Sequence, residues 1–179
     1  MIVQQTTEWK ELRKTKIGAS DAPIIMGVSP WKTPYKLWSQ KLGLEEEDEP
    51  NEAMKRGIGM EEFASQSFEK QMSLIVFPDV LFHPKHKWMM ASLDGIDVER
   101  KVIVEVKCAG KTDHLLAKDG QIPEKYFPQL QHQLEVSGLA MAYYYSFDGK
   151  EGVCLECKRD DEYIEKMVGK EEEFYECME

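Results

Sequence analysis

Asp94 is followed eleven residues later by Glu105-Val106-Lys107, a set of two carboxylates and an ammonium that could cleave phosphodiesters with a metal ion. In the run Val102 to Lys107, a side-chain period of two puts Glu105 and Lys107 on one face and Val102, Val104 and Val106 on the other. One face is expected to be buried and the other to carry chemistry. Two carboxylates on adjacent strands repel unless a divalent cation lies between them, and hard oxygen ligands favour magnesium, with manganese able to substitute. An ammonium beside them suits an attacking water or the charge that grows on phosphorus. The same residues also fit plain surface, since Asp-Gly is a common turn and Glu-Val-Lys a common solvated strand end. The rest of the chain decides between the two.

The 179 residues can bury one good core, and no linker divides them, so 1–179 reads as a single domain. No apolar run is long enough to span a bilayer, and Met1 to Gln5 lacks the regions of a signal peptide, which leads us to expect a soluble cytoplasmic protein with no membrane partner. Cys108, Cys154, Cys157 and Cys177 are read as reduced structural thiols, because Cys154 and Cys157 fall three apart in a probable strand and face opposite sides. The net charge of −10 argues against DNA binding until its distribution is considered. Residues 45–52 hold 6 acids and no base, and 159–179 hold 9 acids against 3 bases; removing them from totals of 33 and 23 leaves 18 acids against 20 bases. The acidity sits in one loop and one tail, both free to point away from a nucleic-acid groove.

Capping and periodicity place the elements. Helices are predicted over Thr7–Lys14, through Ile24-Ile25-Met26 with Ser20 or Asp21 as cap and Gly27 as stop, over Pro34–Lys41 behind a Thr33 cap, and over Asn51–Met72. The last carries Met60, Ala64, Phe68 and Met72 at four-residue spacing, with Glu61 beside that stripe. Strands are predicted at Val80–His83, Trp88–Leu93, Ile96–Val98 and Val102–Lys107 as a meander. A helix over Pro128–Val136, strands at Ala142–Phe147 and Gly152–Cys157, and an acidic helix over 159–177 complete the chain. The order describes an α/β (α+β) domain with a central mixed sheet flanked by helices. Trp31, Tyr35 and Trp38, near helical spacing, read as core rather than as a base-stacking surface, and Lys32 and Lys36 read as backbone-phosphate contacts.

Six segments in order give a stronger signal than any alone: Leu12-Arg13 with Ile17 to Asp21; Gly27 to Trp38; Arg56-Gly57 with Glu61; Ala91 to Gly95; Glu105 to Lys107; and Ile122-Pro123 with Tyr126 and Gln129 to Gln133. Over residues 9–147 this chain resembles the phage lambda-type alkaline exonucleases, also called YqaJ-like viral recombinases, of the PD-(D/E)XK nuclease superfamily. The resemblance implies that superfamily's restriction-endonuclease-like core. It implies that Asp94, Glu105 and Glu61 bind metal, with the Val106 carbonyl completing the coordination, and that Lys107 is the catalytic lysine. Arg13, Ser20, Ser92 and Gln129 match positions that hold a 5′-terminal phosphate, chemistry suited to a guanidinium, two hydroxyls and an amide. Gln133, one helical turn from Gln129, is a further expected phosphate or DNA contact, and His132 reads as a phosphate or supporting contact rather than a general base. Leu93 stands where the superfamily has proline, a position that supplies no ligand, and little after Phe147 matches.

The expectation is therefore a magnesium-dependent 5′→3′ exonuclease acting on double-stranded DNA ends with a 5′ phosphate and exposing 3′ single strands for recombination. A homotrimer, a single-strand annealing protein as partner and a phage or prophage origin are further implications of the resemblance. Two alternatives stay open: an endonuclease or nickase on the same scaffold, and a non-catalytic module that binds DNA or protein.

Overall fold

A computed structural model describes residues 2–179, the Ala53 side chain aside. Several helix starts are capped by side chains. Thr6 accepts the Trp9 N–H at the start of α1 (Thr7–Thr15), and a short helix α2 (Ala22–Ile25) follows the two-residue strand β1 (Ile17–Gly18) and a 3-10 turn. Thr33 caps α3 (Pro34–Lys41), and Asn51 caps α4 (Glu52–Met72). Helix α4 lays Ala64 and Phe68 on the sheet with Met60 and Met72 beside them, as the four-residue spacing predicts.

Six strands form one mixed sheet. β2 (Val76–Phe82), β3 (Met89–Asp97) and β4 (Ile103–Lys107) run antiparallel as the predicted meander. The chain then crosses over through α5 (Lys111–Lys118) and α6 (Phe127–Ser137), so that β5 (Met141–Phe147) lies parallel to β4. β6 (Gly152–Lys158) closes a hairpin on β5, and α7 (Asp161–Glu176) ends the fold. One face of the sheet packs on α2, α6 and α7 around Met89, Leu93, Ile103, Leu130, Leu134 and Met167; the other packs on α4 around Val104, Val106, Tyr145 and Phe147. No helix among the described residues is long and apolar enough to cross a membrane.

The fold departs from the sequence reading at several points. Trp88–Leu93 and Ile96–Val98 are not two strands but the single β3, with Gly95 inside it and no Asp-Gly turn. β1 and α5 carried no strong signal: two residues are too few for a period, and α5 is a short helix with Gly110, not a capping side chain, before it. Both faces of β4 are covered, because α6 lies over the Glu105 side, so Glu105 is 2% exposed. Finally, Trp31 and Tyr35 are 63% and 70% exposed rather than core. Burial pushes the thiols of Cys154 and Cys157 up to about 11.

Candidate active site

The site begins with an irregularity in β3. Phe77 pairs with Ile96 and Asp79 with Leu93, so Asp94 and Gly95 together oppose Pro78 alone. This is a β-bulge, and Pro78, with no N–H to give, sits at it on the outer strand. The bulge shifts the alternation: Met89, Ala91, Leu93 and then Ile96 all join the same core. Position 95 has no room for a side chain, since a Cβ there would meet Val76 Cγ2 at 2.7 Å and Val104 Cγ1 at 2.8 Å.

The other edge of β3 is covered only at its ends. β1 pairs with Met89 and Met90, and β4 with Gly95 and Ile96, leaving the backbone edge of 91–94 without a strand on that side. β4 runs on past Val104 alongside β5 while β3 diverges from it. Into this fork Asp94 turns its carboxylate, and Oδ2 accepts the Val106 N–H at 2.8 Å, replacing the lost ladder bond. Glu105 Oε1 accepts from Lys107 Nζ at 2.6 Å and from Gln129 Nε2 at 2.7 Å, and Oε2 accepts from Gln133 Nε2 at 2.5 Å. Gln129 and Gln133 thus hold Glu105 from α6. Lys107 lies over the Tyr126 ring at 5.0 Å, and the Tyr126 hydroxyl donates to Asp113.

The charges do not balance. Burial, and then the negative charge of Glu105, hold the Asp94 carboxyl well above its ordinary value, with Glu61 adding to the effect. Partial burial and Glu105 raise Glu61 as well, from its exposed place on α4. Burial would depress the Lys107 ammonium, but Glu105 and Asp94 outweigh it and keep it above the usual lysine range. Three acids therefore feel one another around a single cation, and lone pairs remain: no donor among the described residues reaches Asp94 Oδ1, and Glu105 Oε2 accepts only one bond. All-oxygen donors, surplus negative charge and free lone pairs suit a hard divalent cation.

Next to the fork, Ser92 lies two residues before Asp94 in β3 and accepts from Trp9 Nε1 at 2.7 Å. Arg13 stacks on the Trp9 ring at 4.9 Å and donates to Ser20 Oγ at 2.9 Å. Arg13, Ser20 and Ser92 thus meet around Trp9. Behind them lies a buried support absent from the sequence reading: Asp21 pairs with Lys41 at 2.8 Å and Arg13 at 3.8 Å and accepts the Gly18 N–H, while Lys41 donates to the carbonyls of Arg13 and Lys16. Gly-Ala-Ser-Asp reads as a cap, and a lone lysine ending α3 gives no hint of its partner 20 residues earlier.

Lys32 donates to Gln40 at 2.5 Å and lies 3.7 Å from Asp48, and Lys36 pairs with Asp48 at 2.5 Å. The acidic loop thus lies on these lysines rather than away from them. His132 is fully buried; its Nδ1 is 2.8 Å from Glu171 and its Nε2 is 2.8 Å from the Met90 carbonyl, so it ties α6 to α7 and β3 and meets no phosphate. Glu171, counted with the solvated acidic tail, is itself fully buried.

Comparison with known proteins agrees with the fold. An alkaline exonuclease from Laribacter hongkongensis is 25% identical and superimposes with a TM-score of 0.83, covering 97% of this chain and 92% of that one; its complex with dAMP superimposes equally. A phage-related exonuclease from Haemophilus somnus 129PT, 15% identical with a TM-score of 0.64 over 89% of this chain and 93% of its own, shares the fold. The uncharacterized protein YqaJ of Bacillus subtilis is 34% identical over 174 residues, 94% of this chain but only 54% of its own length, so the chain spans about half of that relative. The pattern of the YqaJ-like viral recombinase domain matches residues 8–140, and the chain belongs to that family.

Proposed function

We propose that the protein is a magnesium-dependent 5′→3′ exonuclease that degrades one strand of linear duplex DNA and exposes 3′ single strands for phage-type recombination. The observation that carries this reading is the fork between β3 and β4, where Asp94 and Glu105 gather with Lys107 as the one neutralising cation among the described residues. Glu61, Asp94, Glu105 and the Val106 carbonyl would hold the ion, which when bound supplies Lewis-acid polarisation of the scissile phosphate. Lys107 orients the attacking water and meets charge growing on phosphorus. Gln129 and Gln133 keep Glu105 aimed. Arg13, Ser20 and Ser92 seat the 5′ phosphate that each cleavage leaves on the remaining strand, which sets the register for the next cut. The likeness to exonucleases supports this class of substrate, and the family resemblance supports a homotrimer and a single-strand annealing partner.

An endonuclease or nickase on the same site is the second reading, because the metal-binding set alone does not require an end. Purified protein with magnesium is offered linear duplex with 5′ phosphates, the same duplex dephosphorylated, a closed circle and a single strand, with Asp94→Ala alongside. The expected result is rapid loss of the phosphorylated duplex, slower attack on the dephosphorylated one and an intact circle, all abolished by the substitution. Cutting of the circle would establish the endonuclease, and no cleavage of any DNA would leave a binding module.

A further inference from the structure

A second group of ligand-type side chains lies one strand beyond the fork, at the end of β5. His114 of α5 is 4% exposed, and its Nδ1 is 2.9 Å from Ser146 Oγ, where Ser146 is the register partner of Lys107. Nε2 is buried with no hydrogen-bond partner among the described residues and lies 3.8 Å from Asp148 Oδ2. A buried polar atom without a partner is unfavourable, so Nε2 calls for one. With Nδ1–H donating to Ser146, Nε2 presents a lone pair, the tautomer that ligates metals.

The turn between β5 and β6 supplies the rest. Asp148 Oδ1 accepts the N–H groups of Lys150 and Glu151, both at 2.9 Å, which fixes the carboxylate with Oδ2 turned to His114. Those bonds also hold the Asp148 carboxyl below its ordinary value. One ligand atom from each of His114, Asp148 and Glu151 lies within 4.8 Å of the others. The group differs from the fork in kind: an imidazole nitrogen among its donors favours a transition metal over magnesium.

We propose that His114, Asp148 and Glu151 bind one zinc ion, with water in the fourth position, as a clamp joining α5 to the β5–β6 turn beside the catalytic strand. Lys118 is its built-in competitor, since its ammonium pairs with Glu151 Oε1. The clamp does not depend on the nuclease reading.

The test titrates zinc into the full chain carrying Asp94→Asn and Glu105→Gln, which silences the fork, by calorimetry and by the visible absorption of cobalt as a stand-in. One saturable equivalent is expected, weakened about tenfold or more by His114→Asn, equally by Asp148→Asn, which keeps a capping oxygen, and tightened by Lys118→Met. Far-ultraviolet circular dichroism of each variant separates lost folding from lost ligation. Absence of a saturable equivalent, or binding that survives both ligand substitutions in folded protein, overturns the site.

Discussion

The molecule buries ionisable groups in two ways. Around His132 and Glu171, and around Asp21, Lys41 and Arg13, each acid meets a cation or an imidazole at hydrogen-bonding or ion-pair distance. At the fork, Asp94, Glu105 and Glu61 share Lys107 alone. The balanced groups join elements: His132 fastens α6 to α7, and Lys41 fastens α3 to the end of α1. The unbalanced group lies where β3 and β4 part, with Asp94 bonded to the Val106 N–H and Glu105 held from α6. A surplus of acids, rather than burial itself, separates the site from the scaffold, which is the arrangement the proposed metal ion would neutralise.

One chemical change applied to both regions separates them most sharply. Asp94→Asn keeps an oxygen for the Val106 N–H and removes one of the crowded charges. Nuclease turnover should fall about a thousandfold or more, because a ligand and its charge are gone. Stability without metal should stay level or rise. Glu171→Gln should do the reverse: turnover per folded molecule is retained, while denaturant unfolding shows a loss of about 2 kcal/mol, the scale of a hydrogen bond to a charged group. Glu171→Ala, which strands His132 without its partner, should lose about 3–5 kcal/mol. Turnover lost with Glu171, or stability lost with Asp94, would dissolve the distinction.

The sequence makes the two regions unequally legible. Asp94, Glu105 and Lys107 announce themselves because polar residues interrupt apolar strands at a period that can be counted. Caps give the starts of α1, α3 and α4 directly, since Thr6, Thr33 and Asn51 act within three residues of themselves. The balanced pairs are illegible for the opposite reason. Glu171 stands among Glu172 and Glu173, and only the docking of α7 on α6 selects which of the three is buried. The bulge is hidden too: Asp94-Gly95 reads as a turn from local propensity, and only its pairing with β2 across Pro78 keeps it in the strand. Trp31 and Tyr35 mislead because aromatics at helical spacing suggest core, whereas Leu37 fills that face of α3.

The smallest effect tests the charge surplus itself. Asp94 in the folded protein keeps its proton to higher pH than in the unfolded chain, where an aspartate ionises near pH ~4. Between those two values the native state holds one more proton than the unfolded state, so stability falls as pH rises, by about 1.4 kcal/mol per pH unit at most for one proton. Metal-free protein should therefore lose stability from acidic toward neutral pH more steeply than Asp94→Asn. His132, which burial would depress but Glu171 raises, contributes a fall of the same sign in both proteins, so the difference between the two slopes belongs to Asp94 and the groups coupled to it at the fork. Saturating magnesium competes with that proton and should erase the difference, lifting the wild type alone. Unfolding curves measured from pH 5 to 8, with and without magnesium, check this; parallel slopes for the two proteins would mean that Asp94 is already neutralised within the fold, leaving the fork no demand for a cation.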